Sequence, residues 1–427
     1  MPSIKPFKAV VYNRARVKDF AKVVAPPYDI IPPKMREGLY KRHPNNIVRL
    51  ILGKTYRGDS VKDNRYTRAG AFFRSWLKEG VMTQDSRKAF YVYSQSYKAD
   101  GKKIERLGFI GLMKLGLGKK RTVLPHEKTL LAPKQDRLNL MRTVNANLSP
   151  IFILYEDRRH VIARILKKCA ASSRPLIDIN EGGVRHRVWR LGSGADIAKI
   201  ERLMGPKNVF IADGHHRYEV ACNYAAELEA KNVPEEMKRN SKYFMVYFVE
   251  SDERMLTILP AHRVVKDTGG LTSADVINKL GKFFEVEKAS GLASVLARIE
   301  KLRHSCAFGL YAGKGGYYVL RLKSYAVSDR AIKKNSLDWR RLDVTILHLF
   351  VLERVLGVSD NDDNVEFVKD PKEAAQLVDK GRGKAAFFLN PTKARQVTKV
   401  ALHGEKMPRK ATYFYPKPLS GLTVNKF

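Results

Sequence analysis

A mixed α/β fold is predicted by two features of the sequence. Apolar runs of strand length alternate with stretches of helical period along all 427 residues. No internal repeat or low-complexity tract interrupts that alternation. With 44% apolar residues the chain can bury a sizeable core, and its length suits two or three packed domains.

Taken in order, short runs rich in apolar, β-branched and aromatic residues predict strands at 47–52, 89–97, 108–114, 151–155, 209–212, 243–249, 306–311, 316–322 and 385–389. Helical spacing predicts helices at 64–78, 161–172, 217–230, 273–283, 292–302 and 343–356, and a further helical stretch from Gln135. In the helix from Arg217, the side chains of Tyr218, Ala221, Cys222 and Ala225 fall on one face. Two shifts of composition divide the chain. Residues 230–241 are polar and carry Pro234, and residues 328–335 are basic. The expected division is 1–235, then an α/β extension at 236–330, then a C-terminal helical and strand segment at 331–427.

Charge narrows the partners. Lys and Arg number 80 against 43 Asp and Glu, a formal charge of +37. That balance favours phosphate-bearing partners: nucleotides, nucleic acid or an anionic surface. Cys169, Cys222 and Cys306 are too few and too scattered for a disulfide framework or paired zinc knuckles, which points to a reducing compartment, the cytoplasm by default. The N-terminal residues lack the apolar stretch of a signal peptide, and no apolar run reaches the roughly 18 to 20 residues of a membrane span.

The most informative stretch is Val209-Phe-Ile-Ala-Asp-Gly-His-His-Arg-Tyr-Glu-Val-Ala-Cys222. Buried strand, tight glycine turn and helix start form an anion-binding geometry, because backbone N–H groups and the macrodipole meet there. Gly214 supplies the turn, and His215, His216 and Arg217 supply donors. Asp213 has two readings, a cap on the helix or a group that holds a cation or orients a hydroxyl. A second cluster, Leu124-Pro-His-Glu-Lys-Thr129, places His126 and Glu127 in a loop, where a carboxylate beside a histidine is a candidate general base. Its value depends on meeting Asp213 in space.

Secondary candidates are scattered. Asp29 follows two prolines in Ala25-Pro-Pro-Tyr-Asp29 as a possible ligand; Asn147 in Asn147-Leu-Ser-Pro150 lines a pocket or caps; Lys417 ends a run of bases and aromatics suited to gripping a nucleotide or to a half-buried strand. The acidic segment 359–364 reads as a solvated loop or a cation site. Gly53-Lys54-Thr55 fails as a P-loop, since Val48 stands where its first glycine belongs, and Gly116-Leu-Gly118 fails as a dinucleotide fingerprint at Arg121. No hydrolase elbow, zinc-protease helix or zinc finger occurs.

These motifs, with Pro44-Asn-Asn-Ile-Val-Arg49 and Lys410-Ala-Thr-Tyr-Phe-Tyr-Pro-Lys417, run from end to end, and the chain resembles the domain of unknown function 1015 family. More distantly, Pro-His-Glu followed by Asp-Gly-His-His-Arg is similar to the free serine kinases of the ParB and sulfiredoxin-like superfamily, which phosphorylate free L-serine with ADP or ATP. That resemblance implies a ParB/sulfiredoxin-like core in 1–235, with Glu127 as base, His126 and Asp213 in support, and His215, His216 and Arg217 gripping nucleotide phosphates with Mg²⁺. The separation of the two motifs is wider than in the compact kinases. The implied function is transfer of a phosphoryl group from a nucleotide to a small hydroxylated metabolite. The alternatives are a nucleotide-dependent nucleic-acid-binding protein and a non-catalytic small-molecule sensor.

Overall fold

The computed structural model describes residues 2–99, 101–116, 123–124, 127, 131–359 and 363–427. The expected mixed α/β fold is found. The chain forms two compact units: Met1–Leu124, Thr129–Leu256 and Pro416–Phe427 make the first, and Pro125–Lys128 with Thr257–Tyr415 the second.

The first unit is built on a nine-stranded sheet. Its strands are β1 (Ile4–Lys5), β2 (Phe90–Ala99), β3 (Lys102–Lys114), β4 (Val123–Leu124), β5 (Ile151–Tyr155), β6 (Ile177–Glu181), β7 (Val184–Leu191), β8 (Val209–Asp213) and β9 (Tyr243–Glu250). Their order is β4-β8-β5-β9-β3-β2-β7-β6, with β1 also paired to β3. β5 and β9 run parallel to each other, and β8 lies antiparallel to β5. β5 and β9 are nearly continuous apolar runs because they are interior strands buried on both faces. β7 alternates between buried and exposed positions over much of its length, as a half-buried strand does.

The longer helices of this unit are α1 (Arg65–Lys78), α2 (Leu131–Val144), α3 (Val161–Ser172), α4 (Gly194–Met204) and α5 (His215–Glu229); α2 to α5 pack on the sheet and α1 packs on α2. Asn64 starts α1 with a capping box, accepting from Tyr66 and Thr67 while Thr67 accepts from Asn64. α3 buries Ile162, Ile165 and Leu166, and α5 buries Val220, Ala221 and Tyr224, against strand residues such as Ile153 and Phe248. Among the described residues, no helix is long and apolar enough to cross a membrane.

The second unit holds a six-stranded sheet, antiparallel throughout, of β10 (His262–Val265), β11 (Phe284–Ala289), β12 (Ala307–Tyr311), β13 (Tyr317–Leu322), β14 (Val365–Val368) and β15 (Ala385–Leu389), ordered β11-β13-β12-β15-β10-β14. α6 (Leu292–Lys301) and α7 (Pro371–Asp379) pack on it through Val295, Ile299, Ala374 and Val378.

Several expectations meet a different outcome. Residues 47–52 form a short helix, Val48–Ile51, instead of a strand. Buried Asn46 causes this: its Oδ1 accepts from Val48 N–H at 2.9 Å while its amide donates to the Lys22 and Val24 carbonyls. Residues 343–356 give a short α-helix, Asp343–Ile346, which widens into a π-helix over Leu347–Glu353. The expected break after 235 falls inside the first unit, because β9 is an interior strand of its sheet. The break after 330 falls inside the second, because β12 pairs with β15 across it. The acidic segment lies largely outside the described residues; at its end Asp363 and Asn364 bind Lys266 and Asp267.

Candidate functional site

Strand β8 ends at Asp213, Gly214 turns the chain, and α5 begins at once with His215. Gly214 has φ +98°, a left-handed conformation that side-chain-bearing residues rarely adopt. A Cβ added there would lie 3.0 Å from the Arg217 guanidinium carbon, so space as well as conformation selects glycine. The helix starts two residues earlier than the sequence suggests, which places buried His215 and half-buried His216 in its first turn.

The N-cap of the helix is Gly214, and the Asp213 carboxylate beside it is held by two cations. Arg217 Nη2 donates to Asp213 Oδ2 at 2.6 Å, and the Lys417 ammonium lies 2.6 Å from Oδ1. The other arm of Arg217 donates to the Pro150 carbonyl, which anchors the guanidinium in the loop just before β5. Lys417 also donates to Asp29. Two of the scattered candidates, Asp29 and Lys417, therefore converge on Asp213.

Burial alone would lower the Lys417 pKa, but the carboxylates of Asp213 and Asp29 hold it above the ordinary lysine value, so the ammonium is charged at neutral pH. The backbone beside it is fixed from below the sheet's core. Arg106, fully buried, donates to Gln95 and to the Pro416 carbonyl, and Gln95 donates to the Lys417 carbonyl at 3.2 Å.

A cavity of about 40 Å³ adjoins Arg217 and is lined also by Tyr28, Arg137, Asn147, Ser149 and Phe244. It has room for water-sized groups and not for a nucleotide. Asn147 Oδ1 accepts from Met245 N–H at 3.1 Å and from Asn425 Nδ2 at 3.0 Å, while its own buried Nδ2 has no partner among the described residues. Arg137 stacks 4.0 Å over the Tyr28 ring and donates to Asp136. Burial would raise the Asp136 carboxyl, yet Arg137, Tyr66 and Arg65 hold it below its usual range.

Glu127 belongs to the second unit, where its carboxylate accepts from Lys410 N–H at 3.4 Å. His126 lies outside the described residues. Among the described residues no group of three or more His, Cys, Asp or Glu could hold a metal ion. The site's own carboxylates do not fit a resident Mg²⁺, since Asp29 and Asp213 already hold the Lys417 ammonium. Sequence reasoning missed Tyr28 and the Pro150 carbonyl as neighbours of Arg217; the quoted motifs that contain them were the available signal.

The architecture is a mixed α/β one with a strand–glycine–helix loop at its candidate site. The chain belongs to the family described as a protein of unknown function (DUF1015), whose family model matches residues 4–345. Among solved structures, a free serine kinase in complex with AMP is similar at 13% identity and a TM-score of 0.33, over 69% of this chain and 83% of that one. A conserved hypothetical protein from Pyrococcus furiosus is similar at 14% identity and 0.34, over 71% and 92%. SbnI with a C-terminal truncation, from Staphylococcus aureus, is similar at 12% identity and 0.36, over 74% and 87%. Scores of this size bear on no individual residue. No curated protein sequence matches the chain significantly.

Proposed function

We propose that this protein is a phosphotransferase that moves a phosphoryl group from a nucleotide, ADP or ATP, to the hydroxyl of a small metabolite, with free L-serine as the first acceptor to test. The observation that supports this most is the strand–glycine–helix turn itself, in which Gly214 at φ +98° leads straight into α5 while Arg217 and Lys417 hold Asp213 beside it. The start of α5 carries the helix's partial positive charge, which favours an anion there.

In this reading Gly214, His215 and His216 receive the nucleotide phosphates. Arg217, anchored on Asp213 and Pro150, positions the loop. The hydroxyl proton needs a base, and the resemblance names Glu127, with His126 in support, for that part. Mg²⁺ enters with the nucleotide's own phosphates.

Incubation of the protein with ADP or ATP and L-serine, followed by phosphorus NMR, tests the reading. O-phosphoserine is the expected product. Nucleotide binding without turnover across a panel of hydroxylated metabolites would overturn catalysis in favour of a sensor. The +37 charge supports a second reading, binding of nucleic acid. Duplex affinity falling steeply with salt, by roughly 0.9 log units per log unit of salt for each neutralised phosphate, would favour that reading.

A further inference from the structure

Another cavity of the first unit, of about 730 Å³, is lined by Glu250, His160, Lys167, Arg187, Trp189 and Asp252 among others. Glu250 ends β9 and pairs with Tyr155, at the end of β5, whereas Asp213 pairs with Phe152 near its start. Along β5 the two sites are thus about 10 Å apart, at about 3.3 Å per residue.

Glu250 is only 4% exposed. Its Oε1 meets His160 Nδ1 at 2.5 Å, but its Oε2 is buried with no hydrogen-bond partner among the described residues. A buried carboxylate oxygen without a donor is costly and calls for one. The Nε of Arg187, which also lines the cavity, is likewise buried and without a hydrogen-bond partner among the described residues.

The remaining charges largely answer each other. Arg187 donates to Glu105 at 2.7 Å, and Arg254 to Asp252 at 2.6 Å. What is left is the Glu250 carboxylate and, on α3, exposed Lys167, with the Trp189 ring and Ala163, Ala170 and Ala171 supplying apolar wall. Burial raises the Glu250 carboxyl above its ordinary range, with His160 opposing and Asp157 and Asp252 adding to the rise. A cationic partner would reverse that rise.

We propose that this cavity binds a small amine-bearing zwitterion of the amino-acid class, its ammonium paired with the Glu250 carboxylate and its own carboxylate facing Lys167. The site is separate from the Asp213 loop and does not rest on the phosphotransferase reading.

Calorimetric titration of the full chain with amino acids that lack a hydroxyl, with their N-acetyl derivatives and with putrescine tests it. Free amino acids bind and their N-acetyl derivatives do not. Glu250→Gln weakens binding at least about tenfold, the scale of a hydrogen bond to a charged group. Lys167→Glu, on the exposed rim where folding is spared, also weakens it severalfold. Absence of binding by any amino acid would overturn the proposal. So would binding that survives both substitutions, or binding of putrescine alone.

Discussion

The Lys417 ammonium joins Asp213 to Asp29 in the first unit, 2.6 Å from Asp213 Oδ1, although its segment returns to that unit only after the whole of the second. Removing the ammonium would leave two carboxylates facing one another, one of them largely buried. Loss of one partner of such a buried cluster costs about 3 kcal/mol. Lys417→Met is therefore expected to lower the urea midpoint by that equivalent. An unchanged midpoint would show that the bridge contributes nothing.

Gly214→Ala places a Cβ 3.0 Å from the Arg217 guanidinium carbon and forces a left-handed conformation on alanine. The expected cost is about 1–2 kcal/mol. Nucleotide affinity should fall with it, because the Arg217 guanidinium that positions the loop must give way. Denaturation and nucleotide titration of one variant read both effects; full affinity in the variant would count against the loop as the phosphate site.

Glu127→Gln keeps the size of the side chain and removes its basicity. Turnover is expected to vanish while nucleotide affinity stays at the wild-type value, as measured by single-turnover assay and equilibrium dialysis. Equal turnover in the two proteins would take the role of base away from this residue.

His186 is buried in β7 with its Nδ1 2.6 Å from the Tyr93 hydroxyl, and burial, aided by the charge of Arg106, lowers its pKa to about 3. The unfolded chain has the ordinary value near 6.5, so it binds more protons than the folded one between those limits. Stability from this group is present above pH 6.5 and is lost as pH falls toward 3, by up to about 1.4 kcal/mol per pH unit. Stability measured across this range should fall less steeply in His186→Gln. Parallel curves would refute the assignment.

The parts legible in the sequence were those whose burial is uniform or whose chemistry is local. β5 and β15, buried at every position, lie within the limits their apolar runs define. The Asp213 loop was readable because strand, glycine and helix are consecutive. The hairpin of β6 and β7 went unread although Gly182 and Gly183, both at positive φ, mark its turn between alternating runs. Residues 47–52 look like a strand because the hydrogen bonds of Asn46 leave no trace in hydropathy. The meeting of Asp29 and Lys417 with Asp213 depends on long-range pairing, and nothing in the local sequence of Glu250 marks it as the floor of a cavity.

The return of Pro416–Phe427 has a consequence for synthesis. This segment bridges Val10, Ala25 and Asn147 of the first unit and carries Lys417. While the ribosome is still translating the second unit, the nascent first unit lacks its tying cation, and Asp29 and Asp213 must await it unbridged. The bridge between Asp29 and Asp213 thus forms only after translation has passed residue 417, while the anchoring of Arg217 on Asp213 and Pro150 uses residues made much earlier.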